Sequence, residues 1–427
     1  MKNCCRKCWC GIFCCTCCKK TPLDVVAENT RLLPKNQQTR NEIEHEELYV
    51  FGLAPQDLRR VLLEGEGYGQ KPVKKIVCGK SHCVILLNSN RLIGFGSNED
   101  GQLGLPLETK VCCQITSLPI NVQNVNMENS TIEDIAAGDE FSLILIKLQD
   151  QHNILVRFGT DIKNKYAKIP NTHSQNIEKL PDNITNISKI VAFEKRKVFF
   201  TEDNDIYVSG RDYSGTEIDE YIHLKKFESK IKNIYLQKES CIVQDENNNI
   251  FCLGDNSYKE FGLFTNSMND FKKLNFKSSN KNSIKKICAG ARHLLFLLES
   301  GEVYCVGDNS EGQCCGVTSS CPTPVKLEIN TKQKIVDCYA GYNHNLVILE
   351  NGSVYTWGNT ANGKLGYYED KFTQDTPKEI LGMKILMINN VCLGYQLTVI
   401  VTGKEEDAII IKNKPRVNLI ENDLNDL

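Results

Sequence analysis

No P-loop, nucleophile elbow or metalloprotease helix occurs in this chain, so the compact signatures of nucleotide hydrolysis, esterase chemistry and zinc proteolysis are missing. An excess of charge of one sign is also absent. Against 51 Lys and Arg stand 53 Asp and Glu, for a net charge of −2. That balance supplies no general attraction to a phosphate backbone and argues against nucleic acid as a partner. An even, secretory set of cysteines is lacking too, because the count is 21. Eight crowd into the first eighteen residues, and thirteen are scattered at apolar strand positions such as Cys78, Cys252, Cys288, Cys305, Cys338 and Cys392. The scattered group reads as reduced core thiols, which points to the cytosol. What remains is an ordinary soluble composition, 41% hydrophobic and 24% charged, ample for a buried core.

The chain repeats itself. Residues 335–366, IVDCYAGYNHNLVILENGSVYTWGNTANGKLG, read as three strands and a glycine-rich loop, with Asn351-Gly352 as the turn of a hairpin. One such unit, about 50 residues long, cannot bury both faces and needs copies beside it. Residues 284–316 carry Gly290, His293 and Gly307 where the first unit carries Gly341, His344 and Gly358. Residues 74–104 carry Gly79, His82 and Gly96 at the same spacing. Degenerate copies keep Gly159, Gly210 and Gly254. The glycine that ends a third strand occurs seven times, counting Gly52. The first copy, Leu48 to Gly52, lacks its first two strands, and the last, MINNVCLGYQLTVIVTG, has only those. Pairing the two halves closes a ring and removes exposed sheet edges. The expectation is an all-β, seven-bladed β-propeller clasped by its two ends.

The pattern AG-x-x-H, G-x-V-Y-x-W/V-G-x-N/D, G-Q/K-L-G resembles the repeat of the regulator of chromosome condensation family over residues 48–402. In the founding member of that family, one propeller face promotes GDP release from a small GTPase, and an acidic residue just before the turn histidine is important. Here that place holds Ser81, Arg292 and Asn343, and only Glu140, beside Asp139, is acidic there. The resemblance therefore makes Asp139 and Glu140 the candidate GTPase contact. It implies no catalytic group and no cofactor, since an exchange factor acts by preferring the nucleotide-free partner. It lends nothing to a chromatin role, because residues 403–427 are more acidic than basic. No HECT-type extension is expected. The three turn histidines read as structural, each imidazole bonding a backbone carbonyl at its turn, and no metal site is expected among them. Loops 114–129 and 225–232 are long enough to touch a partner. The propeller reads as a monomer.

Residues 1–20, MKNCCRKCWCGIFCCTCCKK, are unlike the rest. Three readings fit. In the first, Cys4, Cys5, Cys8, Cys10, Cys14, Cys15, Cys17 and Cys18 carry thioester-linked acyl chains beside basic residues that meet anionic headgroups. Lys2 excludes N-myristoylation. In the second, the thiolates gather metal, although the spacing of a folded zinc knuckle is missing. The third is a signal peptide, which would lack its Leu/Ala run and is too short to span a bilayer. Residues 21–47 read as a flexible linker. Within it Glu28, Leu32 and Leu33 match an acidic dileucine sorting signal of the kind clathrin adaptors read, and so does the Asp139 to Ile144 stretch, which must be a buried strand. The expectation is a cytoplasmic, membrane-tethered interaction propeller that regulates a small GTPase. An exchange factor for a Ran-, Arf- or Rab-like GTPase is the alternative, and a soluble scaffold with a metal-binding cysteine cluster is a third reading.

Overall fold

The computed structural model describes residues 43–52, 59–68 and 72–402, apart from 123–124, 160–174, 183, 185, 264, 275–282, 316–318 and 385–387. The eight N-terminal cysteines, Glu28, Leu32, Leu33 and residues 403–427 lie outside the described residues.

Seven four-stranded antiparallel sheets form the ring. Blade 1 holds β3 (Val73–Cys78), β4 (His82–Leu87), β5 (Leu92–Ser97) and β6 (Val111–Ser117). Blade 2 holds β7 (Thr131–Ala137), β8 (Phe141–Lys147), β9 (Asn153–Gly159) and β10 (Gln175–Ile177). Blade 3 runs from β11 (Ile187–Phe193) through β12 (Arg196–Thr201) and β13 (Asp205–Arg211) to β14 (Glu217–Lys226). Blade 4 runs from β15 (Ile231–Leu236) through β16 (Ser240–Asp245) and β17 (Ile250–Asp255) to β18 (Ser267–Leu274). Blade 5 comprises β19 (Ile284–Ala289), β20 (His293–Leu298), β21 (Val303–Asp308) and β22 (Ser320–Lys326). Blade 6 comprises β23 (Ile335–Ala340), β24 (His344–Leu349), β25 (Ser353–Asn359) and β26 (Thr373–Lys384).

The seventh sheet is the clasp. Its order is β2 (Arg59–Tyr68), β1 (Ile43–Phe51), β28 (Thr398–Thr402) and β27 (Ile388–Leu393). Glu47 to Phe51 pair antiparallel with Thr402 to Thr398, so the two chain ends complete one sheet as the half-repeats require. Residues 43–47, read above as linker, belong to β1, because the pairing with β2 continues outward to Ile43 and Tyr68.

Every second strand is buried along its length, from HCVILL to HNLVIL. Such a strand is covered on both faces by neighbouring blades and so reads as a continuous apolar run. First strands such as IVDCYA bury residues three apart, Ile335 and Cys338, because the register shifts at a bulge between Ile335 and Asp337. The core is correspondingly divided into seven apolar clusters, one at each blade junction. Trp357 is fully buried in the junction of blades 5 and 6, and Phe95, Leu253 and Val306 are buried at the equivalent positions.

The glycine that ends each third strand has a steric cause. Gly358 has φ +107, and a Cβ built on it would sit 2.5 Å from the Asn343 carbonyl oxygen. The same clash with the residue before the second strand recurs in the other six blades, where φ runs from +86 to +113. Among the described residues the single helical element is a 3-10 turn at Ala361–Gly363, and no helix is long and apolar enough to cross a membrane.

Candidate functional site

The turns between first and second strands meet at one mouth of the central channel. Their tips are Lys80, Asp139, Glu194, Lys238, Ala291, Tyr342 and Tyr395. Backbone hydrogen bonds join five of the seven junctions. Asp139 N donates to Glu194 O at 2.9 Å, Lys238 N to Ala291 O at 2.9 Å and Ala291 N to Tyr342 O at 2.9 Å. Tyr342 N donates to Gly394 O at 3.3 Å, and Tyr395 N to Gly79 O at 3.4 Å.

Side chains close the mouth. The Tyr342 hydroxyl donates to Glu194 Oε1 at 2.8 Å, and its ring stacks on Phe193 at 5.8 Å and meets Tyr395 edge-on at 4.3 Å. Lys364 is buried behind this plug and donates to Asn343 Oδ1 at 2.8 Å and to Tyr395 O at 3.2 Å. Burial pulls its ammonium down to about 8. Beneath the plug, the first strands line an axial cavity of about 250 Å³ that is partly open to solvent.

Asp139 and Glu140 stand side by side at this mouth, each half-buried. Burial, then the nearby Glu194 carboxylate, pushes the Asp139 carboxyl up to about 6. Glu140 is one of two acidic residues at the place before the second strand. The other is Glu239, which the sequence reading missed. Ser240 pairs with Gly254 as His82 pairs with Gly96 and Phe141 with Gly159, and that register gives Glu239 the same place in its blade as Glu140. Blade 4 has Gln237 and Ser240 in place of glycine and histidine, which hides the register in the sequence. Glu239 Oε1 lies 3.4 Å from Arg211 Nη1.

The three histidines bond differently from the expectation. Each imidazole reaches a side chain of the next blade instead of a turn carbonyl. His82 Nε2 donates to Ser142 Oγ at 2.9 Å, and Ser142 in turn donates to Gln102 O at 2.7 Å. His293 Nε2 donates to Asn345 Oδ1 at 2.7 Å, and Asn345 Nδ2 donates to Gln313 O at 2.8 Å. His344 Nε2 lies 2.8 Å from Thr398 Oγ1. Burial lowers all three, His82 to about 4, so they are neutral inter-blade rivets. The preceding glycine makes room for the ring, since a Cβ on Gly341 would lie 2.5 Å from His344 Cε1.

Blades 3 and 4 keep the rivet by other means. Arg196 is buried and donates to Gln237 O at 3.1 Å and Lys238 O at 3.0 Å in the next blade, with its guanidinium 4.3 Å from the Tyr213 ring centre. Gln237 Nε2 donates to Gly290 O at 3.2 Å and His293 O at 3.0 Å. Of the loops read as contact elements, residues 114–117 belong to β6 and residues 225–226 to β14, and Phe227 is buried. The Phe141 to Ile144 stretch is buried strand, as expected of the second dileucine match.

Residues 43–400 match the family model described as RCC1-like domain. The chain belongs to the RCC1-like domain family. Over 163 residues it is 28% identical to the X-linked retinitis pigmentosa GTPase regulator of Homo sapiens, a match covering 38% of this chain and 14% of that protein. Over 104 residues it is 33% identical to the ultraviolet-B receptor UVR8 of Arabidopsis thaliana, covering 24% of this chain and 23% of that one. The chain thus spans well under two thirds of these relatives. Yeast RCC1 (Prp20), solved bound to Kap60, superposes with a TM-score of 0.67 at 16% identity, covering 90% of this chain and 98% of that one. Human WBSCR16 gives a TM-score of 0.64 at 15% identity, covering 84% and 99%. These structures share the RCC1-like fold. Prp20p from Saccharomyces cerevisiae has also been described with its binding to Gsp1p and histones.

Proposed function

We propose that this RCC1-like propeller is an interaction module that regulates a small GTPase through the mouth formed by the first turns, and that acylated N-terminal cysteines hold it on the cytoplasmic side of a membrane. The observation that carries the GTPase reading is the register of Glu140 and Glu239. Both stand where the resembled family has its acidic contact, on the same face as Asp139 and the aromatic plug. A relative is itself named as a GTPase regulator, which supports the partner class. Regulation of this kind needs differential binding between nucleotide states and no catalytic side chain. The tether rests on composition alone, on eight cysteines among basic residues.

The test is capture of partners by the tagged full chain, once with EDTA and once with GTP and Mg²⁺. A small GTPase held only with EDTA makes the protein an exchange factor, and one held only with GTP makes it an effector. Glu140→Lys with Glu239→Lys should lose that partner. Absence of any GTPase in both samples overturns the reading. Membrane fractionation after replacing the eight cysteines by serine tests the tether separately, and unchanged membrane binding would sink it.

A further inference from the structure

Cys78 ends β3, and Cys392 is the fifth residue of β27, so these thiols meet at the junction where the last blade closes on the first. Cys78 Sγ lies 3.8 Å from the Cys392 carbonyl oxygen, within reach of a weak sulfur hydrogen bond. The backbones are close here. A Cβ on Gly394 would fall 3.0 Å from Cys78 Cβ, and Gln396 N donates to Lys80 O at 3.2 Å. Both cysteines are half-buried, and both line the axial cavity of about 250 Å³, which has room for a small solute. A third thiol, Cys83, is opposite Cys78 in the β3–β4 register but fully buried. A second inter-blade pair, Cys288 and Cys338, has its sulfurs 3.4 Å apart, yet both residues are buried inside the apolar cluster of blades 5 and 6.

We infer that Cys78 and Cys392 form an oxidisable dithiol, a modification site at which a hydroperoxide entering the channel closes a disulfide across the ring junction. The hydrogen bond from the Cys78 thiol lowers the Cys392 thiol below its ordinary value, which makes Cys392 the attacking sulfur. Its thiolate attacks one peroxide oxygen, the O–O bond breaks, and the departing hydroxide takes a proton to leave as water. Cys78 sulfur then attacks the resulting sulfenic acid, losing its proton, and a second water departs. Two thiols lose two electrons and two protons, and hydrogen peroxide is reduced to two waters. The bond joins residues 314 apart in sequence and makes covalent a junction otherwise held by packing and hydrogen bonds. The cavity decides which pair reacts. Cys288 and Cys338 do not line the cavity and are buried in the apolar cluster of blades 5 and 6.

The experiment is stepwise hydrogen peroxide treatment of the folded full chain, quenching by alkylation, digestion without reductant and mass mapping. A Cys78–Cys392 linked peptide should appear first, vanish with dithiothreitol and accompany a rise of at least about 2 °C in the thermal midpoint. Cys78→Ser and Cys392→Ser should each abolish both, while Cys83→Ser should leave the link intact. Mapping the unaltered chain keeps the test decisive where a serine variant misfolds. A Cys78–Cys83 or Cys288–Cys338 link appearing first, or full alkylation of Cys78 and Cys392 after peroxide, overturns the inference.

Discussion

The Tyr342 hydroxyl bonds Glu194 across the central channel, at 2.8 Å and over 148 residues of chain. Blades 6 and 3 are three steps apart in the ring, so the bond spans the mouth and does not merely join neighbours. It couples the two halves of the propeller on the face proposed for partner binding. Tyr342→Phe keeps the ring's stacking on Phe193 and removes only the donor. The expected loss is about 0.5–1.5 kcal/mol in urea unfolding. No change would mean that water replaces the bond without cost.

Two glycines should respond unequally to alanine. Gly358 combines φ +107 with a Cβ position 2.5 Å from a backbone oxygen, so Gly358→Ala should cost about 3 kcal/mol or more and yield insoluble protein. Gly262 has φ +63 and nothing nearer than 3.7 Å. Gly262→Ala should cost only about 1 kcal/mol. Expression and thermal midpoint separate the two, and equal losses would refute the steric account.

The neutral imidazoles make the ring acid-sensitive. His82 is held at about 4 from an ordinary 6.5 by burial. Between those values the unfolded chain binds more protons than the folded one, so stability is full above about pH 6.5 and falls as pH drops towards about 4. At about pH 5 the loss should be about 2 kcal/mol for His82 alone. Urea midpoints measured at about pH 7.5 and 5 check this, and His82→Gln should flatten part of the slope.

Glu260 acts with the opposite sign. It is 2% exposed, its Oε2 has no hydrogen-bond partner, and burial raises its carboxyl from 4.5 to about 8. Its contribution is complete below 4.5 and is lost as pH rises through about 8. The equivalent positions in blades 1 and 5 hold Gln102 and Gln313. Glu260→Gln should therefore stabilise the protein by roughly 4 kcal/mol near pH 8 and have little effect near pH 4. A destabilised variant at pH 8 would show that the carboxylate has a favourable role.

The clasp depends on a few buried residues of the N-terminal strand. Leu48 is fully buried between blade 1 and the clasp, whereas Leu381 on β26 is 86% exposed. Leu48→Ala should cost about 2–4 kcal/mol, and Leu381→Ala should stay within about 0.5 kcal/mol. Chemical denaturation of the two variants measures the contrast.

Much of the ring is written in short stretches of chain. Bulged first strands, buried second strands and the glycine that ends each third strand are set by one blade's own geometry, and so they repeat. The half-repeats at Leu48 to Gly52 and Met387 to Gly403 announce closure, because each lacks the strands the other has. Blade number and clasp were therefore legible before any coordinates. The site was less so. Asp139 and Glu140 were found through the repeat, but Glu239 was not, because its blade replaced the two marker residues.

What only the tertiary structure decided are the contacts that cross from blade to blade. The imidazoles of His82, His293 and His344 find Ser142, Asn345 and Thr398, not turn carbonyls. Arg196 and Gln237 take over the same task with unlike chemistry. Tyr342 meets Glu194, and Cys78 meets Cys392, at separations of 148 and 314 residues. A local signal depends on neighbours in the chain, which the sequence lists in order. An axial contact depends on the angle between blades and on ring closure, which is set only when all seven apolar junctions pack at once.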